Sequence, residues 1–145
     1  MTVHDNLELD ATVDNLDILL DWMDEHLGRC LFDGSPKVQL DIAVEEIYIN
    51  IASYAYEDGI GKVCVILDIT DNPLRVAMTF EDYGSPYDPL EREDPDIQLS
   101  IKERKVGGLG IYMTKKTMDE MTYEYRDGKN ILRIVRNHEN KRTDS

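Results

Sequence analysis

Glu46 and Asn50 stand four residues apart in the stretch AVEEIYINIASYAY, residues 43–56. A carboxylate can take up a proton, and a carboxamide oxygen suits a hard cation. On a helix this spacing stacks the two side chains on one face. They fall on the flank of an apolar stripe, Leu40, Val44, Ile47 and Ile51, where a polar group is costly without a partner. Taken alone, such a pair is also satisfied by neighbouring backbone or water. Asp82-Tyr83-Gly84 closes an alternating segment. A carboxylate at a strand end can bind a ligand, and a glycine lets a flat group approach the backbone. The same residues also make an ordinary turn. Gly107-Gly108-Leu109-Gly110 runs into an apolar, helix-like segment. Glycines there expose backbone N–H groups and allow close approach of an anion, or serve as a hinge. The chain holds no GxxxxGK[ST], and no strand directly precedes these glycines. Neither a P-loop nor a dinucleotide fingerprint is present.

The surrounding pattern says which elements hold these residues. Residues 3–10 alternate and predict a strand. Leu16, Leu19, Leu20, Met23 and Leu27 predict an amphipathic helix over 14–27, with Gly28 as its stop. Ser35-Pro36 predicts the start of a second helix running to about Tyr56, Ser35 as cap and Pro36 as first helical residue. Its stripe at Leu40, Val44, Ile47 and Ile51 is joined by Val38, Ile42 and Ile49 on nearly the opposite side. Two apolar faces predict a helix sandwiched between layers. Residues 62–69 are apolar almost throughout and predict a strand buried on both faces; 74–81 alternate, with Asp71-Asn72-Pro73 as the turn between. Residues 83–106 hold three prolines and no period, a loop long enough to act as a lid. A helix over 109–120 and strands at 123–126 and 131–136, joined by Asp127-Gly128, complete the pattern. The order predicts an α+β two-layer sandwich: one mixed, mainly antiparallel sheet with helices on one face.

The totals bound the function. One domain over residues 1–137 accounts for the length of 145, with 138–145 as a flexible tail. Net charge is −14, and residues 1–60 alone carry 14 acids against Arg29 and Lys37. This balance argues against nucleic acid and anionic membrane surfaces as partners. The acidic segment reads as a solvated face or as a docking surface for a basic partner. No apolar run reaches membrane-spanning length and no leader pattern stands at the start, so a cytoplasmic protein is expected. Cys30 and Cys64 read as reduced, and no histidine has a partner at metal-ligand spacing.

Taken together and in order, Glu-x-x-x-Asn on a helix, Asp-x-Gly after a strand, a long loop and Gly-Gly-x-Gly before a helix resemble the three boxes of the gyrase/histidine-kinase-type (GHKL) ATPase superfamily. Within it the chain is most similar to anti-sigma-factor serine kinases. The likeness spans residues 7–137 and is most specific at 43–56, at EDYGSPYDP (81–89), and at GGLGIYMTKKTMDEMTYEYRDGKNILRIV (107–135). The resemblance implies a Bergerat-type ATPase fold with ATP and Mg²⁺ as cofactors. It implies Glu46 as general base, Asn50 as the Mg²⁺ ligand, and Asp82 as acceptor from the adenine amino group with Gly84 beneath the base. It further implies that Gly107, Gly108 and Gly110 close the lid over the phosphates. Two positions depart from the pattern: Tyr54, where a histidine is frequent, and Asn130, where a threonine near the adenine is common. Asn130 is carried as a nucleotide-binding residue because its amide can donate or accept.

The activity implied is a protein serine kinase that phosphorylates a STAS-type anti-sigma antagonist and, alternatively, sequesters a sigma factor. A homodimer is implied as well. The competing expectation is a non-catalytic ATP-binding module that acts by sequestration, for which Glu46 has no use. The ATP-binding domain of a two-component histidine kinase fits less well, since no HExxP-like phosphoacceptor segment stands before the domain.

Overall fold

Alternating side chains build the sheet, and the inward half of each strand sets where the helices lie. The computed structural model describes residues 2–56, 59, 61–91 and 108–138. The strands are β1 (Val3–Asp10), β2 (Lys62–Thr70), β3 (Arg75–Asp82), β4 (Glu120–Arg126) and β5 (Lys129–Asn137). The helices are α1 (Leu16–Arg29), α2 (Gly34–Tyr54) and α3 (Gly108–Thr117). The sheet order is β1-β2-β3-β5-β4, and all four pairings are antiparallel. This is the expected α+β arrangement, without a parallel pair among the described residues.

Val63, Val65, Leu67 and Ile69 of β2, Val76, Met78 and Phe80 of β3, and Leu132 and Ile134 of β5 point to one face. There they form one core with Leu19, Met23 and Leu27 of α1 and Leu40, Val44, Ile47, Tyr48 and Ile51 of α2. The opposite face differs from the expectation for β2. Cys64, Ile66 and Asp68 are only half-buried, so the strand is covered on one face and not two. A continuous apolar run does not distinguish a two-sided strand from a one-sided strand with apolar residues on its wet side.

The second correction concerns α2. Its inner stripe is buried as expected, but Val38 is 57% and Ile42 54% exposed. The helix is therefore not sandwiched: Val38 and Ile42 of its second apolar stripe face out, and Ile49 is half-buried. The helix starts at Gly34 with Asp33 as its cap residue, two positions ahead of the expected Ser35. Asp33 makes no side-chain cap bond and instead reaches His138 Nε2 at 2.9 Å.

α1 runs through Gly28 instead of stopping there. Its end is a pair of reverse bonds, Phe32 N to Leu27 O at 3.1 Å and Leu31 N to Gly28 O at 3.4 Å. That closing motif needs a left-handed residue, and Leu31 supplies it with φ of 58°. The Asp127-Gly128 turn takes φ of 56° and 78°, the conformation that suits a two-residue hairpin. α3 ends at Thr117, and Glu120, expected as the end of that helix, already belongs to β4, which starts three residues before the expected 123. Of the expected lid and tail, residues 92–107 and 139–145 lie outside the described residues. His138 is tied down, its N–H donating to Leu74 O at 3.0 Å.

Candidate functional site

The site sits where the C-terminal half of α2, the end of β3, the start of α3 and the β4–β5 hairpin converge. They enclose a cavity of about 250 Å³, walled by Ile47, Ile51, Ile111 and Leu132 and reached by Asn50, Asp82 and Asn130. That is slightly below the ~300–1,000 Å³ of whole small-molecule pockets. It fits one flat ring system, with any further ligand groups outside.

Asp82 is 4% exposed. Its Oδ1 accepts from Gly84 N at 2.8 Å and from Asn130 Nδ2 at 2.9 Å. No hydrogen bond to Oδ2 is formed among the described residues, which leaves an acceptor on a side chain that lines the cavity. Burial pushes the carboxyl above the ordinary carboxylate range, against the pull of the Asn130 and Gly84 donors. The physical cause is loss of water around a charge.

Gly84 is explained by its neighbour. A Cβ there would lie 2.2 Å from Ala55 O and 2.7 Å from Ala55 C. The turn is pressed onto the end of α2, and Ser85 N donates to Ala55 O at 3.2 Å. Gly84 thus lets the Asp82 turn seat on the helix that carries Asn50.

Asn130 lies directly across from Asp82 on β5. Its Nδ2 group faces three acceptors: Asp82 Oδ1, Gly84 O at 3.3 Å and Ser85 O at 3.0 Å. Its Oδ1 accepts from the Tyr123 hydroxyl and from Tyr87 N at 3.1 Å. The amide is fully engaged by protein groups, so its place is behind Asp82 and the 84–87 segment.

Asn50 is different. Its Nδ2 is buried and has no hydrogen-bond partner among the described residues. An unpartnered buried amide is costly. A half-turn about the last side-chain bond presents the oxygen at the same place, so the position fits a cation as well as a hydrogen-bond acceptor.

Glu46 does not line the cavity. It sits one helical turn from Asn50, about 6 Å along the axis, and its carboxylate rests on α3: a Cβ on Gly110 would lie 1.9 Å from Glu46 Cδ and 2.3 Å from both oxygens. Gly110 is therefore the seat of that carboxylate. Thr114 fixes the same turn, donating from Oγ1 to Gly110 O at 2.9 Å. Gly108 opens α3, while Gly107 lies outside the described residues. Tyr54 lines the cavity mouth and is 54% exposed.

Reading the sequence for polar motifs missed the tyrosines that hold the site. Tyr56 donates to Lys62 O at 2.6 Å and accepts from Tyr83 N at 2.9 Å, with its ring stacked over Gly61. It anchors the residue after Asp82, and its burial raises the phenol above its usual range. Tyr123 and Tyr87 join the Asn130 network. Tyr123 carried a signal, because it falls on the inward parity of β4; Tyr56 carried none.

Comparison with known proteins agrees with this fold. The serine/threonine-protein kinase BtrW of Bordetella bronchiseptica is 26% identical over 131 residues, covering 90% of this chain and 92% of that protein. The serine-protein kinases RsbW of Bacillus thuringiensis and Bacillus cereus are each 23% identical over 95 residues, covering 64% of this chain and 59% of theirs. The described histidine kinase-like ATPase domain matches residues 9–136, from the end of β1 to the end of β5. The chain belongs to the histidine kinase-like ATPase domain family.

Proposed function

We propose that this chain is an ATP-dependent protein serine kinase. One observation carries the reading: a carboxylate, Glu46, is seated on the first turn of α3 by a glycine too small to displace it, one helical turn from an unsatisfied Asn50. A module that only holds nucleotide has a use for Asn50 and Asp82 but none for Glu46 held in this way.

The residues divide the work as follows. The adenine ring enters the apolar cavity, and Asp82 Oδ2 accepts from its exocyclic amine. Asn130 and Gly84 hold that carboxylate in place. The N–H groups at the start of α3, those of Gly108 and Gly110 among them, would face the phosphates, where a helix N-terminus favours negative charge, and the resemblance adds Gly107. Asn50 would hold Mg²⁺, which when bound offsets phosphate charge and orients the transferable group. Glu46 takes the proton of the attacking seryl hydroxyl. The seryl oxygen bonds to the γ-phosphorus, the bond to the β–γ bridging oxygen breaks, and its electron pair leaves with ADP.

The partners follow from the same resemblance: a STAS-type anti-sigma antagonist as acceptor, a sigma factor as the alternative ligand, and a homodimer in the cytoplasm. Among the described residues no helix is long and apolar enough to cross a membrane. The test is transfer of γ-labelled phosphate to a STAS-domain protein. Glu46→Ala should abolish labelling and leave ATP affinity within about twofold. Equal labelling by wild type and Glu46→Ala would remove the kinase reading.

A further inference from the structure

We propose that the outward ridge of α2, formed by Val38, Ile42 and Ile49, is where the acceptor protein docks. We further propose that this protein meets the ridge with an apolar patch rimmed by lysine or arginine. The inference rests on the kinase reading and adds the surface and its chemistry.

At about 100° per residue, Val38, Ile42 and Ile49 fall within a narrow arc on the side of α2 turned from the sheet. Val38 and Ile42 are more than half exposed, although both belong to a residue type that is usually buried. Ile42 stands four residues before Glu46 and Ile49 three after, so both border its carboxylate on the helix surface. A protein laid on this ridge is held beside the group that takes the hydroxyl proton.

The charge around the ridge selects the occupant. Asp41 and Glu45 lie on α2 itself, and Asp24 faces it from α1. Lys37, next to Val38, is already held by Asp24 at 2.7 Å and Asp41 at 2.5 Å. A second copy of this chain would bring the same acidic rim against itself, and an anionic lipid surface would be repelled. A basic rim around an apolar centre complements it.

The experiment takes the STAS-domain proteins of the source genome one by one, with labelled ATP, and defines the acceptor as the one wild type labels. Val38→Ser/Ile42→Ser and Glu45→Lys are then compared with wild type at varied acceptor concentration. The expected result is a rise of tenfold or more in KM for the acceptor, with kcat at saturation within threefold and ATP affinity within twofold. Raised ionic strength should increase the wild-type KM and move that of Glu45→Lys less. Unchanged KM in both variants overturns the docking surface and leaves the kinase reading standing. Unchanged KM with a fall in the light-scattering mass of Val38→Ser/Ile42→Ser makes the ridge a contact between copies and overturns the proposal. Labelling of no STAS-domain protein by wild type removes the kinase reading and the ridge with it.

Discussion

Gly84→Ala probes how Asp82, the carboxylate proposed to meet adenine, is positioned, and its cost can be worked from the contacts. The added Cβ would lie 2.2 Å from Ala55 O and 2.7 Å from both Ala55 C and Ala55 Cβ. Carbon atoms in ordinary contact sit at ~3.5–4.0 Å, so the turn must retreat by about 1 Å. Two of the three crowded atoms are backbone, and no side chain can swing aside to relieve them. Overpacking of this kind costs ~1–3 kcal/mol. Loss of the Ser85 N bond to Ala55 O adds ~0.5–1.5 kcal/mol. We expect about 2–4 kcal/mol in all, a large part of the ~5–15 kcal/mol typical of a domain. Urea unfolding followed by the fluorescence of Trp22, the sole tryptophan, should show the midpoint falling by about 1–2 M at an m-value of ~2 kcal/mol/M. ATP affinity should fall with it, because Asp82 rides on the same turn. Ala55→Gly should rescue little, since the nearest atom is the carbonyl oxygen. A midpoint unchanged within ~0.25 M at that m-value, or full rescue by Ala55→Gly, would refute the close-approach argument.

Asp82→Asn should weaken ATP binding by about 10- to 100-fold, the loss of a charge-assisted bond at ~1.5–3 kcal/mol, measured by calorimetry. Its stability effect has the opposite sign. Burial raises the folded-state carboxyl above its unfolded value, so the charged form destabilises the ligand-free protein at neutral pH, and that cost is relieved as pH falls through the raised value. Asp82→Asn should therefore be as stable as wild type or more so at neutral pH, with the gap closing in acid; parallel stability profiles would contradict this. Wild-type ATP affinity should itself fall as pH drops through the same window. Gly110→Ala should displace the Glu46 carboxylate and lower kcat for phosphate transfer by about 100-fold, the scale of a misplaced catalytic group. The melting temperature should stay near wild type, and an unchanged kcat would refute the seat. At the end of α1, Leu31→Gly should stabilise by about 1 kcal/mol because a left-handed leucine is strained. Gly28→Ala should add ~0.5–1 kcal/mol at a helical position with open space around it. Thermal unfolding of each variant and of the pair checks both, and destabilisation by either would count against the helix-end geometry.

The elements were legible because strands and helices differ in period, and the polar pair on α2 was legible because i and i+4 share a face. What could not be read was which apolar stripes are covered. Val38 and Ile42 have the same residue types as Ile47 and Ile51, yet only the second pair meets the sheet. Periodicity gives the faces of a helix, not the number of layers packed on them. β2 misled in the same way, with Cys64 and Ile66 on a face that stays half open. Within the site, Glu46 and Asn50 stood out as a polar pair beside an apolar stripe, and Asp82 as a carboxylate at a strand's end. Tyr56 did not, because its partners are the backbone of Lys62 and Tyr83, and a backbone partner leaves no residue type to notice. Gly84 was legible as a glycine but not as one required by Ala55, a contact made across the fold.

The engagement of the Asn130 amide has a kinetic meaning. Its donors and acceptor are committed to Asp82 and to the Gly84–Tyr87 backbone by the protein's own groups. On the proposed reading of Asp82 as acceptor for the base, its oxygen is thus held ready, and binding would require no rotamer search on the protein side. Nucleotides that differ only in the group facing Asp82 should then associate at similar rates and separate in residence time, as expected where the binding surface is set in advance. Loosening this network at Tyr123 would shift part of that difference into the association step.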